Sequence, residues 1–267
     1  PIHRVLHAII IVSFLGLAVT GLPLKYSDQA WAQSLARALG GFESSNVWHR
    51  IFAVMTIFYF ATHVLWITRQ AIRSKKAGGT WLGILFGPDS PIPGPRDLFD
   101  VIAMGRWFVG LGPKPVFERW TYWEKFDYWA VFWGVGIIGT SGMMLWFPNV
   151  FSLILPGEAL NIAKVVHSEE ALLATSFIFA IHFFGTHLRP EKFPMDMAIL
   201  SGLVTEEELE EERPEFVERM RAAGRWESLK APVPSRGTLI LIRVGGFIAL
   251  SIGLGLLVGI LLAMFVG

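Results

Sequence analysis

The sequence predicts an all-α integral membrane protein: a bundle of four transmembrane helices followed by a fifth transmembrane helix. Three observations predict it. Of the 267 residues, 53% are hydrophobic and the formal charges nearly cancel at +1, a balance too apolar for a domain dissolved in water. Five apolar stretches approach or exceed the roughly 20 residues that cross a bilayer as a helix. Lys and Arg are spread very unequally among the connections between those stretches, as they are when the connections face opposite sides of a membrane.

The first span covers 4–22. It is expected to be a membrane helix and not a cleavable signal, because no small-residue cleavage site follows it. The 23–46 connection carries only Lys25 and Arg37 and leads to the second span, 47–68. The 69–125 connection holds nine Lys and Arg, opens with Arg73, Lys75 and Lys76, and breaks at Gly87-Pro88 and again from Pro91 to Pro95. It is expected to lie on the membrane surface with one or two amphipathic helices. The third and fourth spans, 127–147 and 161–188, are joined by 148–160, which has no Lys or Arg. The following segment, 189–237, has eight. Within it Thr205-Glu206-Glu207-Glu208 has the form of a capping box and opens an acidic helix expected to run to near Arg225. The fifth span is 238–266.

The expected organisation is therefore a four-helix domain over 1–190, a cytoplasmic acidic connection over 191–237, and the fifth transmembrane helix over 238–267. The positive-inside rule places the N-terminus and both long connections on the cytoplasmic side of the inner membrane, and the C-terminus outside. Trp48, Trp66, Trp120, Trp123 and Trp146 fall near span ends, where interfacial aromatics belong.

Composition also excludes some chemistry. With 23 basic and 22 acidic residues, nothing argues for a nucleic-acid partner. The absence of cysteine removes disulfides, iron–sulfur ligation and thiolate metal sites from this chain. Gly134-Val-Gly136-Ile-Ile-Gly139 matches a dinucleotide fingerprint but sits inside an apolar span, without the strand and helix start that the fingerprint requires. Gly134, Gly136, Gly139 and Gly142 are instead expected to let a flat ligand or another helix approach the third span. Gly255 and Gly259 form a weaker small-residue pair in the fifth.

All seven histidines, at 3, 7, 49, 63, 167, 182 and 187, lie in spans or at their ends. An ionisable residue within a span is costly, and His is the commonest metal ligand among such residues. His49 and His63 are 14 residues apart in the second span, a rise of roughly 21 Å and a rotation that returns to within about 40° of the same face. His167 and His182 are 15 apart in the fourth, with a similar rise and about 60° of rotation. The second and fourth spans run the same way, so His49 shares one level with His167 and His63 shares the other with His182. The first span runs oppositely and brings His7 to the second level as a rival to His63. Two imidazoles facing across a bundle can clamp a haem iron from both sides, which suits electron transfer.

These residues resemble a known family. Arg4-Val5-Leu6-His7 with Thr20-Gly21-Leu22, His49, the glycine-rich third span ending in Trp146-Phe147-Pro148, and the paired histidines of the fourth span are similar to the di-haem cytochrome b subunits of formate dehydrogenases and nickel–iron hydrogenases. The strings Glu124-Lys125-Phe126-Asp127-Tyr128-Trp129, His182-Phe183-Phe184 and His187-Leu188-Arg189-Pro190 look closest to the cytochrome b/b6-like branch linked to multihaem c-type partners. The resemblance covers 1–190 and implies haem ligands at His7, His49, His167 and His182. The extra His63 and the 15-residue spacing instead resemble the cytochromes b of quinol–cytochrome c oxidoreductases, leaving the partner of His182 open between His7 and His63.

The expected function is that of a membrane-bound subunit with two haems b, passing electrons between the quinone pool and a peripheral redox subunit such as a multihaem c-type cytochrome or an iron–sulfur protein. A third haem, held by His63 and His187 beside one held by His7 and His182, is a further reading. Glu169 and Glu170, next to His167, either stabilise a helix start or relay protons to a quinone site. Arg50, Lys164 and Arg189 either meet haem propionates or snorkel. His3 is expected at the interface and uninvolved. The rival reading is a haem-free transporter whose intramembrane histidines bind a divalent metal. That class favours mid-span carboxylates and broken helices, which the sequence lacks.

Overall fold

The computed structural model describes residues 2–265, and within them the regular structure is helical throughout, with no strand. In chain order the helices are α1 (Ile2–Lys25), α2 (Ala30–Ala38), α3 (Phe42–Lys76), α4 (Trp81–Phe86), α5 (Pro95–Phe108), α6 (Tyr122–Trp146), α7 (Pro148–Phe151) and α8 (Gly157–Phe177). They continue with α9 (Ala198–Ser201), α10 (Glu206–Glu212), α11 (Pro214–Ala222), α12 (Trp226–Leu229) and α13 (Arg236–Phe265). Beyond Phe177, α8 is prolonged by two π-helical turns, Ile178–His182 and Phe184–Leu188. Five helices are long and apolar enough to cross a membrane: Ile2–Lys25, Phe42–Lys76, Tyr122–Trp146, Gly157–Leu188 and Arg236–Phe265. Val54, Phe58, Trp133, Leu173 and Val258 stand exposed on them. In water such surface would be uncompensated, but against acyl chains it costs nothing.

The chain divides into two compact units. The first comprises the described residues of Pro1–His63, Trp133–Gly202 and Pro234–Gly267, and contains all seven histidines. Its core is built from Ala18 and Leu22 of α1, Phe179 of the first π-helical turn, Phe183 between the two turns, and Leu250, Leu256 and Ile260 of α13. Gly253 makes this packing feasible, since a methyl group there would lie 2.5 Å from the Phe183 ring and 2.8 Å from that of Phe179. The fifth membrane helix thus packs on α1 and on the end of the fourth. Of the two glycines expected to matter in it, Gly259 faces Trp31 of α2, whereas a Cβ at Gly255 would meet nothing within 4 Å.

The second unit comprises Val64–Phe132 and Leu203–Val233. Two short helices, α4 and α5, occupy the connection expected to carry one or two. Thr80 caps α4 by accepting from the Gly83 N–H at 3.0 Å, and Asp97 accepts from the Gly94 N–H at 2.6 Å at the start of α5. Thr205 accepts from the Glu208 N–H at 3.2 Å, as the capping pattern predicts. The acidic helix expected to continue to Arg225 is instead interrupted. Pro214 has no N–H to donate, and Arg213 before it adopts φ −138°, ψ 51°, outside the helical region. Pro214 then serves as the first residue of α11. Helix α11 is fastened by Arg219, which pairs with Glu118 at 2.8 Å and Asp89 at 3.0 Å. Arg213 bonds Glu124 at 2.7 Å, and Arg96 bonds Glu215 at 2.7 Å.

A candidate metal centre between paired histidines

Within the first unit α1 runs antiparallel to α3 and α8. Its beginning meets their later parts through His3 beside His63, and its end meets their earlier parts through Thr20 on His49 and Lys25 on Ser168. This arrangement sorts the histidines into two levels.

At the first level the rings of His49 and His167 lie 6.2 Å apart, centre to centre, with their planes 78° from parallel. Hydrogen bonds fix the tautomer of each. Thr20 Oγ1 donates its one proton to the Gly16 carbonyl at 2.6 Å, so it can only accept from His49 Nδ1, 3.0 Å away. His167 Nδ1 donates to the Ile138 carbonyl at 2.9 Å, and a carbonyl oxygen can only accept. Ser141, its own proton directed to the Ile137 carbonyl at 2.8 Å, lies 3.4 Å from the same ring nitrogen. Both rings therefore carry their proton on Nδ1 and keep the lone pair on Nε2, the state in which imidazole binds a metal.

Two glycines make room for these rings. A Cβ on Gly21 would lie 2.9 Å from His49 Cε1, and one on Gly142 would lie 2.9 Å from His167 Cε1. Of the four glycines expected to open the third span, Gly142 alone makes such an approach to another helix: Gly134 and Gly139 face side chains of their own helix, and Gly136 faces open space. Arg50 lies over the Trp146 ring at 5.4 Å, at this same level.

The ring separation has a chemical meaning. Imidazoles bound on opposite sides of one metal, with metal–nitrogen distances of about 2.0 Å and ring centres about 1.1 Å behind the nitrogens, have centres about 6.2 Å apart. On a tetrahedral metal the figure is about 5 Å. The His49–His167 ring centres have the first of these separations, and among the described residues no group of three or more His, Asp or Glu gathers into a metal-holding set. A porphyrin supplies the four equatorial nitrogens itself, so two trans imidazoles complete its iron.

At the second level His7, half-buried, has both His182 and His187 as electrostatic neighbours, and the last two rings lie 6.5 Å apart. His7 Nδ1 is a buried nitrogen without a hydrogen-bond partner among the described residues, a situation that costs about 1–3 kcal/mol unless a ligand or water offsets it. His187 is committed elsewhere. The Asp196 N–H donates to its Nδ1 at 3.2 Å, which puts the proton of the neutral ring on Nε2 and removes the lone pair a metal would need. His182 is left as the partner suited to His7. The π-helical turn ending at His182 adjusts its direction, because an i→i+5 turn takes up about one extra residue. Fifteen residues after His167 then act as about fourteen, roughly 40° from the same face instead of 60°.

His63 is buried, and its ring lies 6.2 Å from that of His3, with planes 70° apart. The interfacial His3, expected to be uninvolved, is thus a ring neighbour of the extra histidine. Sequence gave one usable signal for this: His3 precedes His7 by four residues and shares its helix face. Glu169 accepts from Lys25 Nζ at 2.8 Å, and the same ammonium donates to Ser168 at 2.7 Å, joining the end of α1 to α8. Glu170 is half-buried, three residues after His167 and hence on its side of the helix.

Comparison with known proteins finds no family model, no curated relative and no solved structure that matches this chain.

Proposed function

We propose that the chain is a membrane-bound cytochrome b subunit that holds two haems b, one between His49 and His167 and one between His7 and His182, and carries electrons between a quinone pool and a partner redox subunit. The observation that carries this reading is the His49–His167 pair: two rings at trans-ligand separation, each with Nδ1–H tied to a protein acceptor and Nε2 left to bind. A haem held there by His49 and His167 would supply a one-electron couple.

The chain's own residues have separate tasks in this reading. Thr20 and the Ile138 carbonyl orient the His49 and His167 rings and raise their basicity. Gly21 and Gly142 allow the rings to lie against α1 and α6. The apolar helices would exclude water from a haem held there. The two levels lie roughly 21 Å apart along α3 by helical rise, so an electron can pass between the membrane surfaces in two stages. Glu170 is the remaining candidate to accept a proton from a quinol beside the first level, since Glu169 is held by Lys25. The positive-inside rule assigns that level to the outer face of the inner membrane and the His7 level to the cytoplasmic face. Any cysteine-held cluster or c-type haem would belong to the partner, a multihaem c-type cytochrome or an iron–sulfur protein, because these 267 residues contain no cysteine.

A reduced-minus-oxidised visible spectrum of the purified chain tests the reading. Sharp α and β bands of low-spin haem b, titrating with the protein, are expected. A featureless spectrum together with stoichiometric binding of a divalent metal would favour the transporter reading instead.

A further inference from the structure

We propose that His3 and His63 form an additional bis-imidazole site that holds a third haem at the His7 level; this rests on the haem reading of the other two pairs. Four observations converge on it. The ring centres are 6.2 Å apart, the same separation as His49 and His167, and the planes are crossed by 70° against 78° for that pair. That separation fits a trans arrangement about one metal and exceeds by about 1 Å what a tetrahedral ion would impose. His63 is held in place: Tyr59, one turn earlier on α3, stacks on it with ring centres 6.0 Å apart and planes only 11° from parallel, and both residues are buried. A buried ring braced in this way is preorganised for ligation.

Helix α1 supplies the fourth observation. His3 and His7 lie on adjacent turns of its first part, so one helix presents two imidazoles to the same end of the unit, about 40° apart around the axis. His7 has His182 and His187 as electrostatic neighbours, whereas the ring beside His3 is that of His63. The two rings therefore serve different partners, and the third site does not compete with the second for a ligand.

Location gives the site its role. His3 is exposed where His63 is buried, so the pair joins the interior of the unit to its surface. A centre there adds a third stage to the electron path. Ferrous iron at one centre becomes ferric as ferric iron at the next becomes ferrous, with no bond made or broken and no proton moved. The partner redox subunit would exchange electrons at this exposed centre, leaving the His49–His167 level for quinone.

The pyridine haemochrome assay on the full purified chain, together with low-temperature EPR, tests the proposal. About three haems per chain are expected in the wild type. His3→Ala and His63→Ala should each lower the count by about one and remove the same low-spin ferric signal, while His63→Met should keep the haem with an altered signal and potential. Because His3 is exposed, His3→Ala probes the site without opening the core. A wild-type count of about two that neither substitution changes would overturn the third site while leaving the two-haem function intact. A count near zero would overturn both.

Discussion

His167 lies so close against Gly142 that a methyl group on that α-carbon would sit 2.9 Å from the imidazole Cε1. Helix propensity and packing therefore make opposite demands at this position. Replacing a mid-helix glycine by alanine should stabilise the helix by roughly 0.8–1 kcal/mol, yet here it would press on the His167 ring. Gly142→Ala, and likewise Gly21→Ala against His49, is expected to leave the chain folded by circular dichroism while shifting or broadening the EPR signal of the first-level haem. Gly136→Ala, with nothing within 4 Å of the new methyl, should change neither spectrum nor haem content.

Thr20 offers a finer test. Its hydroxyl accepts from His49 Nδ1 at 3.0 Å, and such support of a ligating imidazole is typically worth about 10–100-fold in metal affinity. Thr20→Val keeps the shape and removes the hydroxyl, leaving the Leu17 carbonyl as the remaining acceptor for the ring. The midpoint potential of the first-level haem is expected to rise, because a less basic imidazole stabilises ferric iron less, and Thr20→Ser should restore it. Potentiometric titration reads both. Equal potentials in wild type and Thr20→Val would mean that the Thr20 hydroxyl does not tune the His49 ring.

In the second unit the segment containing Asp89 is joined to α11 through Arg219. Partial burial pushes the Asp89 carboxyl up, but hydrogen bonds and charge from Arg219 and Arg119 outweigh it and hold the carboxyl below its ordinary 3.8. Arg219 is correspondingly held above the ordinary arginine value by Glu118 and Asp89. A depressed native carboxylate contributes stability that is full above the unfolded value and is lost as pH falls through the native one. Proteolysis around 203–233 should therefore be slow at pH 6 and accelerate below about pH 4. Asp89→Asn should show the faster cleavage already at pH 6. An unchanged rate in Asp89→Asn would separate α11 from this ion pair.

The five spans and the first-level pair were legible in the sequence because each depends on a coarse quantity: the length of an apolar run, and the helical rise between His49 and His63 or His167 and His182. What escaped depends on local geometry. The π-helical turn ending at His182 leaves no pattern in Ile178–His182 that distinguishes it from α-helix, so the sequence reads His182 with the phase of an unbroken helix. The break at Arg213–Pro214 was readable from proline chemistry, yet the acidic run around it reads as one helix. Gly253 stood unnoticed beside the better-spaced Gly255 and Gly259, because its importance comes from Phe179 and Phe183 on another helix. His3 reads as interfacial for the same reason: its ring neighbour, His63, stands sixty residues away in the chain.

Orientation follows from the charges of the connections and can be read directly. With nine Lys and Arg in 69–125 and none in 148–160, reporters fused after Ser90, Gly157 and residue 267 should report cytoplasmic, external and external positions. A cytoplasmic signal at the last would mean that α13 does not cross.

The central claim is that His49 and His167 hold one and the same haem. Low-temperature EPR of the oxidised chain, with haem counted by the pyridine haemochrome method, tests it most directly in the wild type, His49→Ala and His167→Ala. Each substitution is expected to abolish the same low-spin signal, either losing that haem or converting it to a high-spin form as one axial position opens, while the signal assigned to His7 and His182 persists. Loss of different signals in the two variants, or retention of the wild-type spectrum in either, would contradict the pairing.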